Sequence, residues 1–151
     1  SVMPVAGVAG VHVFGAGLRQ SLIPWGEWFD AHTKPGVSIA APDIGAIGYY
    51  SNRRVVDLAG LVTPAIIPLL EKEQPEAVVS NFSFASVSRP EFLVDRSTRA
   101  YDLMSRSPFS AALVPLGNAA VPNLGVARPE AAVYSFYRVD WAVYDSLAAE
   151  R

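Results

Sequence analysis

Cysteine is absent from the chain. That excludes disulfides, thiol catalysis and thiolate metal ligation, and it leaves the redox compartment open, because cytoplasmic proteins can lack cysteine too. Histidine is nearly as scarce, with His12 and His32 the only two. A catalytic triad or a zinc site needs more supporting residues at defined spacing. His12 therefore reads as a core or loop residue in an apolar run. His32 reads as a helix-end residue whose partial positive charge suits the macrodipole. No metal and no cofactor is expected.

Charge is thin as well. Charged residues make up 17%, below the roughly one quarter of an ordinary globular chain. Net charge is −2, so nothing supplies the basic face that nucleic-acid binding requires. The cations are ten arginines against Lys34 and Lys72, a bias that reads as compositional. Long apolar runs are missing: the stretch from Val2 to Leu18 is short for a spanning helix and is interrupted by Pro4, His12 and several glycines. It has no basic flank like that of a signal peptide. Residues 1–16 read as an apolar N-terminal segment, either a buried strand with flanking loops or the membrane-proximal edge of a membrane segment, and 17–151 as one soluble domain.

Hydrophobic residues are abundant, at 51% with mean hydropathy +0.26. In 151 residues that implies either a large core or an apolar surface that meets a partner. Leu18, Leu22, Trp25 and Phe29 recur on one helical face, so the pattern predicts a helix over 18–32, stopped by Lys34-Pro35-Gly36. Residues 37–41 and 54–58 read as strands and 44–50 as a short helix. Thr63-Pro64 reads as a helix start running towards Lys72, with Thr63 as the cap. Residues 77–80 are expected as a third strand, 90–97 as a helix, and 101–104, 111–116 and 131–139 as extended. Residues 117–129 form a long connection, and Asp140 caps a terminal helix. The order predicts an α/β fold, in three layers or two, with a mainly parallel central sheet and antiparallel edge strands.

Candidate chemistry gathers in the first half. Asp43 and Asp57 follow predicted strands, at the carboxyl edge where open α/β sheets place ligands. They could share acid–base work, or they could serve as a helix cap and a turn acceptor. Arg53 and Arg54 could fork onto an anion, or could be turn-end arginines. Tyr49 and Tyr50, with Trp25, Trp28 and Phe29, could stack on sugars or lie at a bilayer interface, or could be core. The glycines do not form a dinucleotide fingerprint, and there is no Walker motif, Gly-x-Ser-x-Gly elbow or His-Glu-x-x-His.

The stretch Ala41-Pro42-Asp43-Ile44-Gly45-Ala46-Ile47-Gly48-Tyr49-Tyr50-Ser51-Asn52-Arg53-Arg54, continuing through Asp57 and Gly60 to Thr63-Pro64, resembles a segment of bacterial GT-C glycosyltransferases. In those polytopic membrane proteins it lies in an extracytoplasmic C-terminal domain. Trp25, Gly26, Trp28 and Pro35-Gly36-Val37 fit the same layout, and the likeness spans Gly17 to Leu70. It implies a parent enzyme that uses a polyprenyl-phosphate sugar donor on the outer face of the cell membrane. The family's catalytic acid lies in the membrane part, so no catalytic residue carries over. The transmembrane portion of the same protein, and a glycan or polyprenyl-phosphate, are the implied partners. Asp43, Tyr49, Tyr50, Arg53, Arg54 and Asp57 then form a binding or bracing platform. Two alternatives stand beside this: a non-catalytic module for glycans or anions, and a small carboxylate-dependent hydrolase.

Overall fold

The computed structural model describes residues 16–42, 45–60, 63–121 and 132–151, with side chains from residue 22 onward. Asp43, the apolar segment 1–15 and most of the connection at 117–129 lie outside the described residues. Helix α1 (Ala16–His32) leads into strand β1 (Ser38–Ala41), helix α2 (Gly45–Ser51) and strand β2 (Arg54–Asp57). A 3-10 turn at Pro64–Ile66 runs on into α3 (Ile67–Leu70), followed by α4 (Pro75–Ser80). Then come β3 (Phe92–Ser97), α5 (Leu103–Arg106), β4 (Leu113–Val121), β5 (Ala132–Val139) and α6 (Trp141–Ala149).

The strands form one sheet in the order β2-β1-β3-β5-β4. β1 pairs in parallel with both β2 and β3. β5 is antiparallel to β3, and β4 is antiparallel to β5. Four strands therefore point one way and β5 alone points back, which gives two parallel and two antiparallel ladders, a mixed sheet within the α/β class the sequence implied. β4 carries Pro115 at an exposed position and a register shift between Pro115 and Gly117. Both features suit an edge strand, where a missing donor costs no ladder bond.

Alternation along the strands sorts the core into two faces. On one face Ile39, Ala41, Phe92, Val94, Tyr134 and Phe136 pack under α1 and α2. The indole of Trp25 lies flat on Phe136, with ring centroids 3.9 Å apart and planes at 6°. On the other face Ala40, Val56, Leu93, Tyr137 and Val139 meet Val78 of α4, Leu103 of α5 and the aromatic side chains of α6. The architecture is thus three-layered, helices on both sides of the sheet. No helix among the described residues is long and apolar enough to cross a membrane.

Several sequence expectations are corrected. Residues 77–80 belong to α4, not to a strand. Pro75 occupies the first turn, where its missing N–H costs nothing, and Glu76 beside it favours the positive helix end. Residues 92–97 form central strand β3 rather than a helix, and residues 103–106 form a turn of helix rather than a strand. β4 runs on to Val121, so the connection after it starts later than its glycine and asparagine suggested. The turn before α5 places Tyr101 in the left-handed region at φ 55°, with its N–H donating to Ser135 Oγ at 2.8 Å. Thr63 does not cap its helix. Its hydroxyl instead accepts from the Asp57 N–H at 2.9 Å. Asp140 does cap α6, accepting from the Val143 N–H at 3.2 Å.

Candidate functional site

α1 and α2 approach each other unusually closely, and that contact builds the site. A Cβ on Gly26 would sit 2.7 Å from Tyr50 Cβ and within 3.3 Å of α2 backbone atoms. Only glycine allows this approach. The consequence is that Tyr49 and Tyr50 stand at the mouth of a groove between the helices. The groove measures about 600 Å³ and is lined by Glu27 and Asp30 of α1 and by Gly48, Tyr49, Tyr50 and Asn52. Tyr49 is 77% exposed, large for an aromatic ring. It meets Tyr50 edge to face, centroids 4.9 Å apart.

Arg53 has a different occupation from the anion fork considered above. Its side chain is only 5% exposed. Its guanidinium donates to Thr33 O at 2.7 Å, Thr33 Oγ1 at 3.0 Å, Asp30 O at 3.0 Å and Ser51 O at 3.2 Å. A weaker contact reaches Asp30 Oδ1 at 3.4 Å. These acceptors include the Asp30 carbonyl in the last turn of α1, which has no partner inside the helix, and the Thr33 carbonyl just beyond it. Arg53 therefore ties the end of α1 to the turn between α2 and β2, and so fixes the groove's wall.

Of the other described candidates, neither Arg54 nor Asp57 lines that groove. Arg54 opens β2 and is exposed, while Asp57 closes β2 and is buried. They lie at opposite ends of the strand, roughly 10 Å apart at about 3.3 Å per residue. The Asp57 carboxylate accepts from the Ala59 N–H at 2.8 Å, closing the turn to Gly60. Gly60 takes φ +80° there, a conformation that favours glycine. Tyr49 and Tyr50 thus share a site with Glu27, Asp30 and Asn52, and Arg53 supports it from behind.

A family profile for a domain of unknown function, DUF8728, matches residues 16–146. The chain belongs to the DUF8728 family. Neither a curated protein nor a solved structure matches it. The matched range of the DUF8728 domain includes both helices of the groove and the whole described sheet.

The DUF8728 domain also carries an acid cluster that the sequence pattern did not reveal. Asp95 sits on β3 at 7% exposure, and its Oδ2 accepts from Arg106 Nη2 at 3.1 Å. Arg106 Nε in turn donates to Asp102 Oδ2 at 2.8 Å. Asp102 also accepts from Arg99 and Ser97. Burial pushes Asp95 up to about 6 despite Arg106, while the hydrogen bonds from Arg99, Arg106 and Ser97 hold Asp102 down at about 2. The two carboxylates are thereby separated in acidity. The i,i+4 spacing of Asp102 and Arg106 was the available signal, hidden by reading this segment as extended. Glu27 and Asp30 were legible too: three apart on α1, they lie off the Leu22-Trp25-Phe29 face. Among the described residues no group of His, Asp or Glu is placed to hold a metal ion.

Proposed function

We propose that this domain binds glycan without catalysing its turnover, as an accessory domain of a membrane glycosyltransferase on the extracytoplasmic face. In this reading the transmembrane portion of the same protein uses a polyprenyl-phosphate sugar donor, and the domain holds the acceptor. The observation that carries it is the exposed Tyr49 ring, held edge-on to Tyr50 above a groove with two carboxylates and an amide. An aromatic face covers the apolar side of a sugar ring while carboxylates and amides take its hydroxyl groups. The stretch that resembles GT-C proteins is the stretch that builds this corner, which supports the wider context.

The hydrolase alternative asks for two free carboxylates in one cleft. Asp57 is committed to a turn amide, so that reading has less support. The anion-module reading needs the Arg53 fork, which is taken up by α1.

The test is titration of the chain with neutral oligosaccharides, followed by amide chemical shifts. Saturable shifts in residues 27–30 and 48–52 are expected. Tyr49→Ala should weaken binding about fivefold, the scale of one aromatic contact. Unchanged affinity in Tyr49→Ala, or the absence of any saturable shift, would remove the groove as a glycan site.

A further inference from the structure

A second cleft opens on the other side of the α1 terminus. It measures about 250 Å³ and its apolar floor is formed by Val37 and Phe92, with Val139 at its edge. Its rim carries His32, Lys34 and Arg138, with Glu91 as the acid. Two elements and the turn after α1 supply the cations. His32 ends α1, Lys34 follows it, and Arg138 lies near the end of β5, opposite Phe92 in the ladder. Phe92 belongs to the core beneath α1, and Arg138, directly opposite it, shares that face of the sheet.

The charges are unequally occupied. Glu91 Oε1 already accepts from the Ser38 N–H at 2.7 Å and lies 3.4 Å from Ser38 Oγ. No ion pair among the described residues uses Lys34 or Arg138. The His32 ring donates through Nδ1 to Trp28 O at 3.0 Å and stacks on the Trp28 indole, centroids 5.0 Å apart. Its orientation is thus set, leaving Nε2 as its second polar atom. The cleft combines two uncommitted cations, an oriented imidazole and a small apolar floor.

We propose that this cleft binds a single sugar unit bearing a carboxylate, a uronic acid, with Arg138 and Lys34 on the carboxylate and the floor under the ring. Its volume lies below the roughly 300–1,000 Å³ typical of drug-sized ligands, so it takes one small unit. An arginine fork matches the two oxygens of a carboxylate. The anion part of the inference rests on Lys34 and Arg138 alone. The sugar class rests on the glycan reading of the neighbouring groove, which shares the Arg53-braced end of α1.

The experiment follows amide shifts of the full 151-residue chain with three separate probes: sodium glucuronate, glucose and inorganic phosphate. Glucuronate should shift residues 32–37, 91–92 and 138–139 saturably, at least tenfold more tightly than glucose or phosphate. Lys34→Gln and Arg138→Gln should each weaken it at least fivefold, and their unchanged shifts elsewhere would establish folding. Tyr49→Ala should leave glucuronate binding intact, so failure of the groove and failure of this cleft read out separately. Equal binding of phosphate, or glucuronate shifts that persist in both variants, would overturn the proposal.

Discussion

At the scale of single residues, Arg53 shows how one side chain serves the frame rather than the ligand. Its charge is matched mainly by backbone carbonyls at the end of α1, where the helix dipole is negative. A planar fork reaches several carbonyls at once, and a lysine ammonium cannot reproduce that pattern. Arg53→Lys should therefore lower stability by roughly 2–3 kcal/mol, the worth of hydrogen bonds to a charged group plus the carbonyls left dry. Urea unfolding measures this directly. A loss under about 0.5 kcal/mol, the range of ordinary surface substitutions, would mean that water replaces the fork without cost. The sequence pointed to Arg53 and Arg54 as a pair, since adjacency is visible there. Which of them turns inward is decided by the turn at Asn52, whose φ of 54° lies in the left-handed region.

Elements were legible where one face of a pattern is buried and the other is not. α1, β1, α2, β2, β5 and α6 all followed from periodicity and caps. The misses share a cause. β3 is a central strand with Asp95 and Arg96 inside it, so its composition suggests a solvated helix, and the Arg106 partner that makes the buried acid tolerable is eleven residues away. At α4 the β-prone Ala77-Val78-Val79 hides a helix that Pro75 opens, since its ring is favoured in a first helical turn. The groove itself depends on contact between elements, and Gly26 is its decisive position. Alanine at a helix interior usually gains about 1 kcal/mol over glycine. Here the new methyl meets Tyr50 Cβ at 2.7 Å and α2 backbone beyond it, atoms that cannot swing aside. Gly26→Ala should cost a net ~1–2 kcal/mol, within the range for overpacking, and should weaken glycan binding by spreading α1 from α2. A stabilised variant with unchanged binding would show that the helices part freely.

At the scale of the whole molecule, the acid cluster makes stability depend on pH in two opposite ways. Asp95 has its folded pKa raised from 3.8 to about 6 by burial, partly offset by Arg106 and reinforced by the Asp102 charge. The folded state therefore holds this proton more tightly than the unfolded chain, and stability falls as pH rises from about 4 to 6. Ionising Asp95 in the fold costs roughly 3 kcal/mol more than ionising it in the unfolded chain. Asp102 works in the other direction: with its folded value held at about 2, its contribution is present above about 4 and is lost as pH falls towards 2. Between them the cluster favours the fold most near pH 4. Asp95→Asn keeps an acceptor for Arg106, and Arg106 retains Asp102, so the substitution removes the titration while leaving the contacts. Urea midpoints at pH 4.5 and 7.5 should differ clearly in the native chain and much less in Asp95→Asn, with the variant the more stable at 7.5. Parallel pH profiles for the two proteins would mean that Arg106 keeps Asp95 ionised throughout, and the cluster would then act as a permanent ion-pair brace between β3 and α5.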